Sequence, residues 1–338
     1  MVKILAPVSS LEATRGAIAA GADEIYCGVK IPGIIYTGLS TRPDWCSLQS
    51  YDELEKIVNY AHQHDVKTIV TTEFPFMADL IEKKLKDFLA SVVKRDVDAI
   101  IATDLGVILM VRDIGLRIPV YASTYLASMN YEAVNLLKKL GIKRVMIERH
   151  VTISEMHEIV KKNKDVEIEV FVHGPGCSNI NVSCHGCGTV IHTITEKTTK
   201  DEILSLCRTR YEIYQIGHDE RIKVSDTPIL DALSWCSLCQ LPDLVRTGVT
   251  GLKIVGRECD QKYQEEVVRI YKELVNLLEA GEIGSYHNKL EYLKKHDQIA
   301  SACQQRRCYY SNLFNAPYRI VPRNLPVRDV NCENRGSG

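Results

Sequence analysis

Several absences narrow the reading of this sequence. Neither charge is in surplus: 42 Lys and Arg stand against 43 Asp and Glu in 338 residues, a net charge of -1. That removes any global pull toward nucleic acid or an anionic membrane and leaves only local basic patches to consider. No apolar run approaches the ~20 residues of a membrane span. The opening MVKILAPVSSLEATRGA is interrupted by Glu12 and Arg15 before it could serve as a signal peptide, so a cytoplasmic protein is expected. No Gly-x-Gly-x-x-Gly turn follows the first strand-like segment, which argues against a dinucleotide-binding sheet. His-Glu-x-x-His and Gly-x-Ser-x-Gly are also missing, and His157-Glu158 has no second His one turn on.

What the chain does have is cysteine, twelve in all. Without an export signal, that number points to metal binding or redox chemistry rather than disulfides. Cys27 and Cys46 stand apart and read as core or loop thiols. Cys177, Cys184, Cys187, Cys207, Cys236, Cys239 and Cys259 crowd the second half, and Cys303, Cys308 and Cys332 lie near the end. The densest stretch is EVFVHGPGCSNINVSCHGC, Glu169 to Cys187. A strand with Val166, Ile168 and Val170 alternating against Glu167 and Glu169 runs into it. The chain then turns at His173-Gly174-Pro175-Gly176 and delivers Cys177, Cys184 and Cys187. A Gly/Pro-rich loop after a strand is a usual way to present thiolates to a metal or cluster. Cys207 and Cys236 can close a four-sulfur site. Two C-x-x-C pairs, Cys184/Cys187 and Cys236/Cys239, offer a structural zinc instead, although the gap between them exceeds the usual ~15–20 residues. Reduced or redox-active cysteines without metal are the third reading.

Strand-like and helix-like segments alternate along the chain. KILAPV, EIYCGV, KTIVTT, AIIAT, PVYAS, RVMI and Val166–Val172 read as seven strands before the cysteine loop, and GLKIV at 251–255 as an eighth. Helical spacing lies between them, over 11–21, 51–64, 78–95, 106–114, 131–140, 154–162 and 261–280. Residues 30–50 read as a long loop. Eight such units predict a (β/α)8 barrel over residues 1–282, with 175–240 a cysteine-rich insertion after strand seven and 283–338 a C-terminal extension. A doubly wound sheet is the alternative.

In a barrel, the strand ends carry the chemistry. His173 ends strand seven and is a candidate catalytic residue, against the commoner role of a satisfied structural histidine. Glu148, Arg149 and His150 follow strand six; Ser123, Thr124 and Asn130 follow strand five; Asp104 and Glu73 follow strands four and three. Each can line a polar pocket, or equally cap a helix or form a loop ion pair. Lys253 and Arg257 sit in and after strand eight, where an anion site is common and an Arg fork suits a carboxylate or phosphate. The tail interleaves Arg306, Arg307, Arg319 and Arg323 with Tyr309, Tyr310, Phe314 and Tyr318. That mix can bind single-stranded RNA. With no overall basic charge, packing on the barrel is the favoured reading.

Several motifs in order resemble peptidase family U32, over most of residues 3 to 275. They are LAPVSSLEATRGAIAAGADEIYCG, DLGVILMVRD with PVYASTYLASMN, EVFVHGPGCSNINVSC, and LPDLVRTGVTGLKIVGRE. The chain departs from the family at Pro175, Gly176 and Val182; Cys187 and Cys239 are additions; and Ile203 stands where a cysteine commonly precedes Cys207. The resemblance implies an iron–sulfur enzyme, an oxygen-independent hydroxylase whose 4Fe-4S cluster is held by Cys177, Cys184, Cys207 and Cys236. It implies a small molecule, a quinone precursor or an RNA base as substrate, with prephenate as hydroxyl source in the RNA branches. It also implies a partner subunit for some members, and the family's older label is collagenase-like protease. His173, Glu148, Lys253 and Arg257 are then the candidate catalytic set, with zinc the alternative metal.

Overall fold

The computed structural model describes residues 2–31, 46–72, 79–177, 210–216, 221–228, 234–296, 302 and 308–310. Eight parallel strands close into a barrel: β1 (Lys3–Pro7), β2 (Glu24–Val29), β4 (Lys67–Thr71), β5 (Ala99–Ala102), β6 (Val120–Ala122), β7 (Arg144–Met146), β8 (Glu167–Pro175) and β12 (Gly251–Ile254). The order is β1-β12-β8-β7-β6-β5-β4-β2, and β2 pairs back onto β1 through Ala6 and Ile25. This is the (β/α)8 barrel expected from the alternation. A short strand β3 (Ser47–Leu48) adds to β2 outside the circle, at the end of the stretch read as loop.

The helices form where their first turns are capped. Ser10, Ser50, Asp104 and Asn130 each accept a backbone N–H at the start of α1 (Leu11–Ala19), α2 (Tyr51–His62), α4 (Leu105–Asp113) and α5 (Tyr131–Lys139). Thr152 and Glu155 form a reciprocal capping box on α6 (Ile153–Lys162). Between α2 and α4, α3 (Asp79–Val93) follows β4. Asp104, Ser123 and Asn130 therefore carry the bland reading, as caps. Glu73 lies outside the described residues.

The insertion contains more structure than its sequence pattern suggests. Strands β9 (Arg210–Ile216) and β10 (Arg221–Pro228) pair antiparallel with each other. Strand β11 (Ser234–Cys236) returns antiparallel against the end of β8. The helix Leu241–Thr247 is the helical partner of β8, and the long helix Gln261–Glu279 that of β12. The C-terminal extension begins with a helix, Ile283–His296. Its buried Tyr286, Leu290 and Leu293 fall at i, i+4 and i+7 and pack against the long helix.

The main apolar core lies between strands and helices; a smaller one, Leu5, Tyr26, Ile69, Ala99, Ile101 and Tyr121, fills the barrel itself. Near the N-terminal end the barrel interior is ionic. Arg144 is 1% exposed, bonds Glu24, Glu167 and Glu169, and lies 4.3 Å from the Tyr121 ring. Lys3 reaches Glu24 at 3.5 Å and Glu167 at 3.2 Å. Among the described residues no helix is long and apolar enough to cross a membrane.

Candidate active site

The seventh barrel strand, β8, governs the site. Along it, Glu169 and Phe171 are cross-strand partners of Gly251 and Lys253 on β12. The next pair is Ile254 with His173, because Val172 is bulged. One extra residue reverses the alternation of side chains. His173 consequently turns out of the barrel and under the long helix, where it is 1% exposed. Its Nε2 lies 2.8 Å from the Tyr263 hydroxyl and its Nδ1 3.5 Å from that of Tyr271. Burial pushes the imidazole down to about 3. The ring is therefore neutral and engaged on both nitrogens. Tyr271 also donates to the Val172 carbonyl at 2.6 Å, which accepts as well from the Ser237 N–H at 3.0 Å and the Ser237 hydroxyl at 2.9 Å.

Strand β11 brings Cys236 beside His173. Its Sγ accepts the Leu238 N–H at 3.4 Å and lies 3.9 Å from the Tyr271 hydroxyl. Burial pushes the thiol up to about 12. The C-terminal segment joins it: Cys308 forms a parallel bridge with Cys236, and the Tyr309 N–H donates to the Cys236 carbonyl at 3.1 Å. Cys177 is half-buried just past β8. Cys184, Cys187 and Cys207 lie outside the described residues. Among the described residues no group of three His, Cys, Asp or Glu side chains is arranged to hold a metal ion. The part of the thiol set that is described does suit a soft metal. The Leu238 N–H at Cys236 Sγ is the kind of backbone hydrogen bond that stabilises a cluster thiolate.

Gly176, a departure from the family pattern, has a physical reason here. A Cβ at that position would sit 2.4 Å from the Trp235 ring on β11. Trp235 meets Tyr309 in a tilted pair with centroids 5.4 Å apart, and Tyr309 stacks on Phe171 at 6.2 Å. Tyr310 donates to the Phe171 carbonyl at 2.7 Å and Tyr309 to the Gly174 carbonyl at 3.2 Å. For Cys308 to Tyr310, the tail thus packs on the barrel. Arg306, Arg307, Arg319 and Arg323 lie outside the described residues.

Buried cations gather at the C-terminal end of the strands. Lys253 Nζ is 4.2 Å and the Arg257 guanidinium 5.8 Å from the same Tyr26 ring. Below Lys253, burial pushes the Glu169 carboxyl up, against the pull of Arg144 and Lys253. Glu148 is fully buried at the end of β7, accepts the Arg149 backbone N–H at 3.0 Å, and lies 3.3 Å from His150 Nδ1. Of the expected set, Lys253 and Arg257 share one ring, Glu148 stands two strands away, and His173 faces the other side of the wall. Tyr26 and Phe171 were not expected. Their inward position in alternating strands is the one signal that marks them.

Cys177 and the buried cations stand at the end of the barrel where enzymes of this fold carry their active sites. Comparison with known proteins identifies the family. The sequence profile of peptidase family U32 matches residues 9–319. An uncharacterized protease of Methanocaldococcus jannaschii is 30% identical, over 87% of this chain and 69% of its own. A tRNA hydroxylation protein of Bacillus subtilis is 27% identical, over 88% and 68%. A collagenase of Porphyromonas gingivalis is 24% identical, over 81% and 65%. The chain spans about two thirds of these relatives' length. The solved structure of a U32 peptidase aligns with a TM-score of 0.46 at 16% identity, over 75% of this chain and 92% of that one. The chain belongs to peptidase family U32.

Proposed function

We propose that this protein is an oxygen-independent hydroxylase of the U32 family, acting on an RNA base, with tRNA the favoured substrate. The carrying observation is that one end of the barrel holds both a cysteine-bearing loop and buried cations, joined where Arg149 Nη1 donates to the Cys177 carbonyl at 3.4 Å. The names of the Bacillus subtilis and Helicobacter pylori relatives, tRNA hydroxylation proteins, support the substrate class. Cys177, Cys184, Cys207 and Cys236 would hold a 4Fe-4S cluster. When bound, such a cluster supplies electron transfer or a Lewis-acidic iron.

The chain's own residues do the rest. Lys253 and Arg257 bind the acidic group of a small co-substrate, for which prephenate is the proposed molecule. Glu148 is the carboxylate available for proton transfer at the mouth. His173 serves as a positioning residue, holding β8 to the long helix through Tyr263 and Tyr271. The peptidase reading gains nothing from it, because both ring nitrogens already face tyrosine hydroxyls.

The test is anaerobic purification with iron, sulfide and zinc quantitation on one sample. About four irons and four sulfides per chain are expected, lost in Cys177→Ala and in Cys236→Ala. Hydroxylated uridine should then disappear from the tRNA of cells lacking the protein. One zinc and no sulfide would sink the cluster and move the ligands to the C-x-x-C pairs.

A further inference from the structure

The C-terminal segment meets β11 where two cysteines face each other. Cys308 and Cys236 are partners in a parallel bridge. The Tyr309 N–H donates to the Cys236 carbonyl at 3.1 Å and fixes the pairing. Tyr309 and Tyr310 then anchor the segment on β8, through the carbonyls of Gly174 and Phe171. Both cysteines stand as thiols.

Register partners on neighbouring strands present their side chains on the same face. Such strands lie about 4.8 Å apart, within the ~4.4–6.8 Å that separates the α-carbons of a disulfide. A bond between the two sulfurs therefore needs no rearrangement of the backbone. Burial is the main reason the Cys236 thiol is pushed up, and Cys239 and Cys308 add to it, so the three thiols are neighbours. Of the two, Cys308 is the one that strand pairing holds opposite Cys236. Cys239 lies across a tight turn, in which the Gln240 N–H donates to the Ser237 carbonyl at 2.9 Å. Exposure divides the roles within the pair. Cys236 is buried and Cys308 half-buried, so a reagent arriving from solvent meets Cys308 first.

We propose that Cys236 and Cys308 are a dithiol–disulfide pair whose oxidation straps the C-terminal segment to β11. A small disulfide such as oxidised glutathione is the oxidant. The Cys308 sulfur attacks one sulfur of the reagent, and its proton leaves with the expelled thiolate. The Cys236 sulfur then attacks the Cys308 sulfur of the mixed disulfide, and the second thiolate departs with the Cys236 proton. Two protein thiols are oxidised to one disulfide, and one reagent disulfide is reduced to two thiols. The bond also withdraws Cys236 from a metal, so the strapped and cluster-bearing states exclude each other. That last consequence rests on the cluster reading above; the pairing itself does not.

The full chain is taken as purified and, in parallel, stripped of metal with a chelator. Both samples are equilibrated with glutathione buffers from fully reduced to mostly oxidised, quenched with iodoacetamide, and digested with trypsin without reductant. Trypsin releases Cys308 in the peptide 308–319 and Cys236 in the peptide 224–246, and the linked pair is read by mass. The link is expected in metal-free wild type and in Cys239→Ser, and is lost in Cys308→Ser and in Cys236→Ser. Oxidised wild type should melt above its reduced form, a shift that Cys308→Ser should lack. Wild type and Cys239→Ser carry the test even where Cys236→Ser does not fold. The pairing is overturned if no link forms at any ratio, if the link survives in Cys236→Ser, or if Cys236 and Cys239 join each other instead. A chain that never carries iron and still links refutes the cluster reading alone. An iron-bearing chain whose stripped form never links refutes the pairing alone.

Discussion

Burial holds the His173 imidazole neutral, and that has a thermodynamic consequence. Its folded value of about 3 lies below the ordinary 6.5. The stability linked to it is fully present above pH 6.5 and is lost as pH falls from there toward 3, because only the unfolded chain takes up the proton. The slope is ~1.4 kcal/mol per pH unit for one proton. Urea unfolding between pH 6.5 and 5 should show this extra slope in wild type and not in His173→Gln; equal slopes would sink the assignment. Arg144 makes a second case. Replacing it with Met removes the buried cation that Glu24 and Glu169 share, leaving Glu24 with Lys3 at 3.5 Å and Glu169 with the field of Lys253, a loss of ~3–5 kcal/mol. Adding Glu24→Gln and Glu169→Gln should recover much of that loss, and denaturant midpoints would report it.

At the scale of elements, the end of β8 is the most constrained segment near the site. Gly174 has φ +109, and a Cβ there would lie 2.1 Å from the Val255 carbonyl oxygen. Gly174→Ala meets both backbone strain and a collision with backbone. Its melting temperature should fall well below that of Gly115→Ala, which has φ +71 and open space around it. The bulge at Val172 is held in part by the Tyr271 hydroxyl, which donates to the Val172 carbonyl and accepts from the Ser237 N–H at 3.2 Å. Tyr271→Phe should lose ~1–3 kcal/mol. A loss under a few tenths in chemical denaturation would mean that the two Ser237 donors to the same carbonyl and the sheet suffice to hold the bulge.

For the whole molecule, the C-terminal segment is part of the barrel's closure. Ending the chain at His296 removes buried Ala302, Tyr309 and Tyr310. The two tyrosines alone should cost roughly 3–6 kcal/mol in buried apolar surface. The same truncation uncovers β11, so Cys236 should react faster with iodoacetamide than in the full chain. An unchanged rate would show that the tail does not shield it.

Much of this molecule is legible without coordinates. The barrel follows from period: eight apolar strands, each followed by a helix with its cap, leave few closed arrangements once right-handed crossovers are required. Asp104 and Asn130 cap helices through residues two and three positions on, because capping is local. Lys253 falls within the last barrel strand and Arg257 just after it, as their sequence positions imply, since position within a strand sets depth in a barrel. The direction of His173 could not be read this way. It depends on one bulged residue, and a bulge is a property of two paired strands rather than of one sequence. Lys253 stands over the Tyr26 ring, although 227 residues separate them in the chain. Cys308 meets Cys236 across 72 residues. Sequence determined which elements form and at which end of the barrel Lys253 and Arg257 lie, because those are set by short-range periodicity and caps. Tertiary structure alone decided which side chains meet there, because closure of the barrel and the register of β8 bring together residues that no local pattern connects.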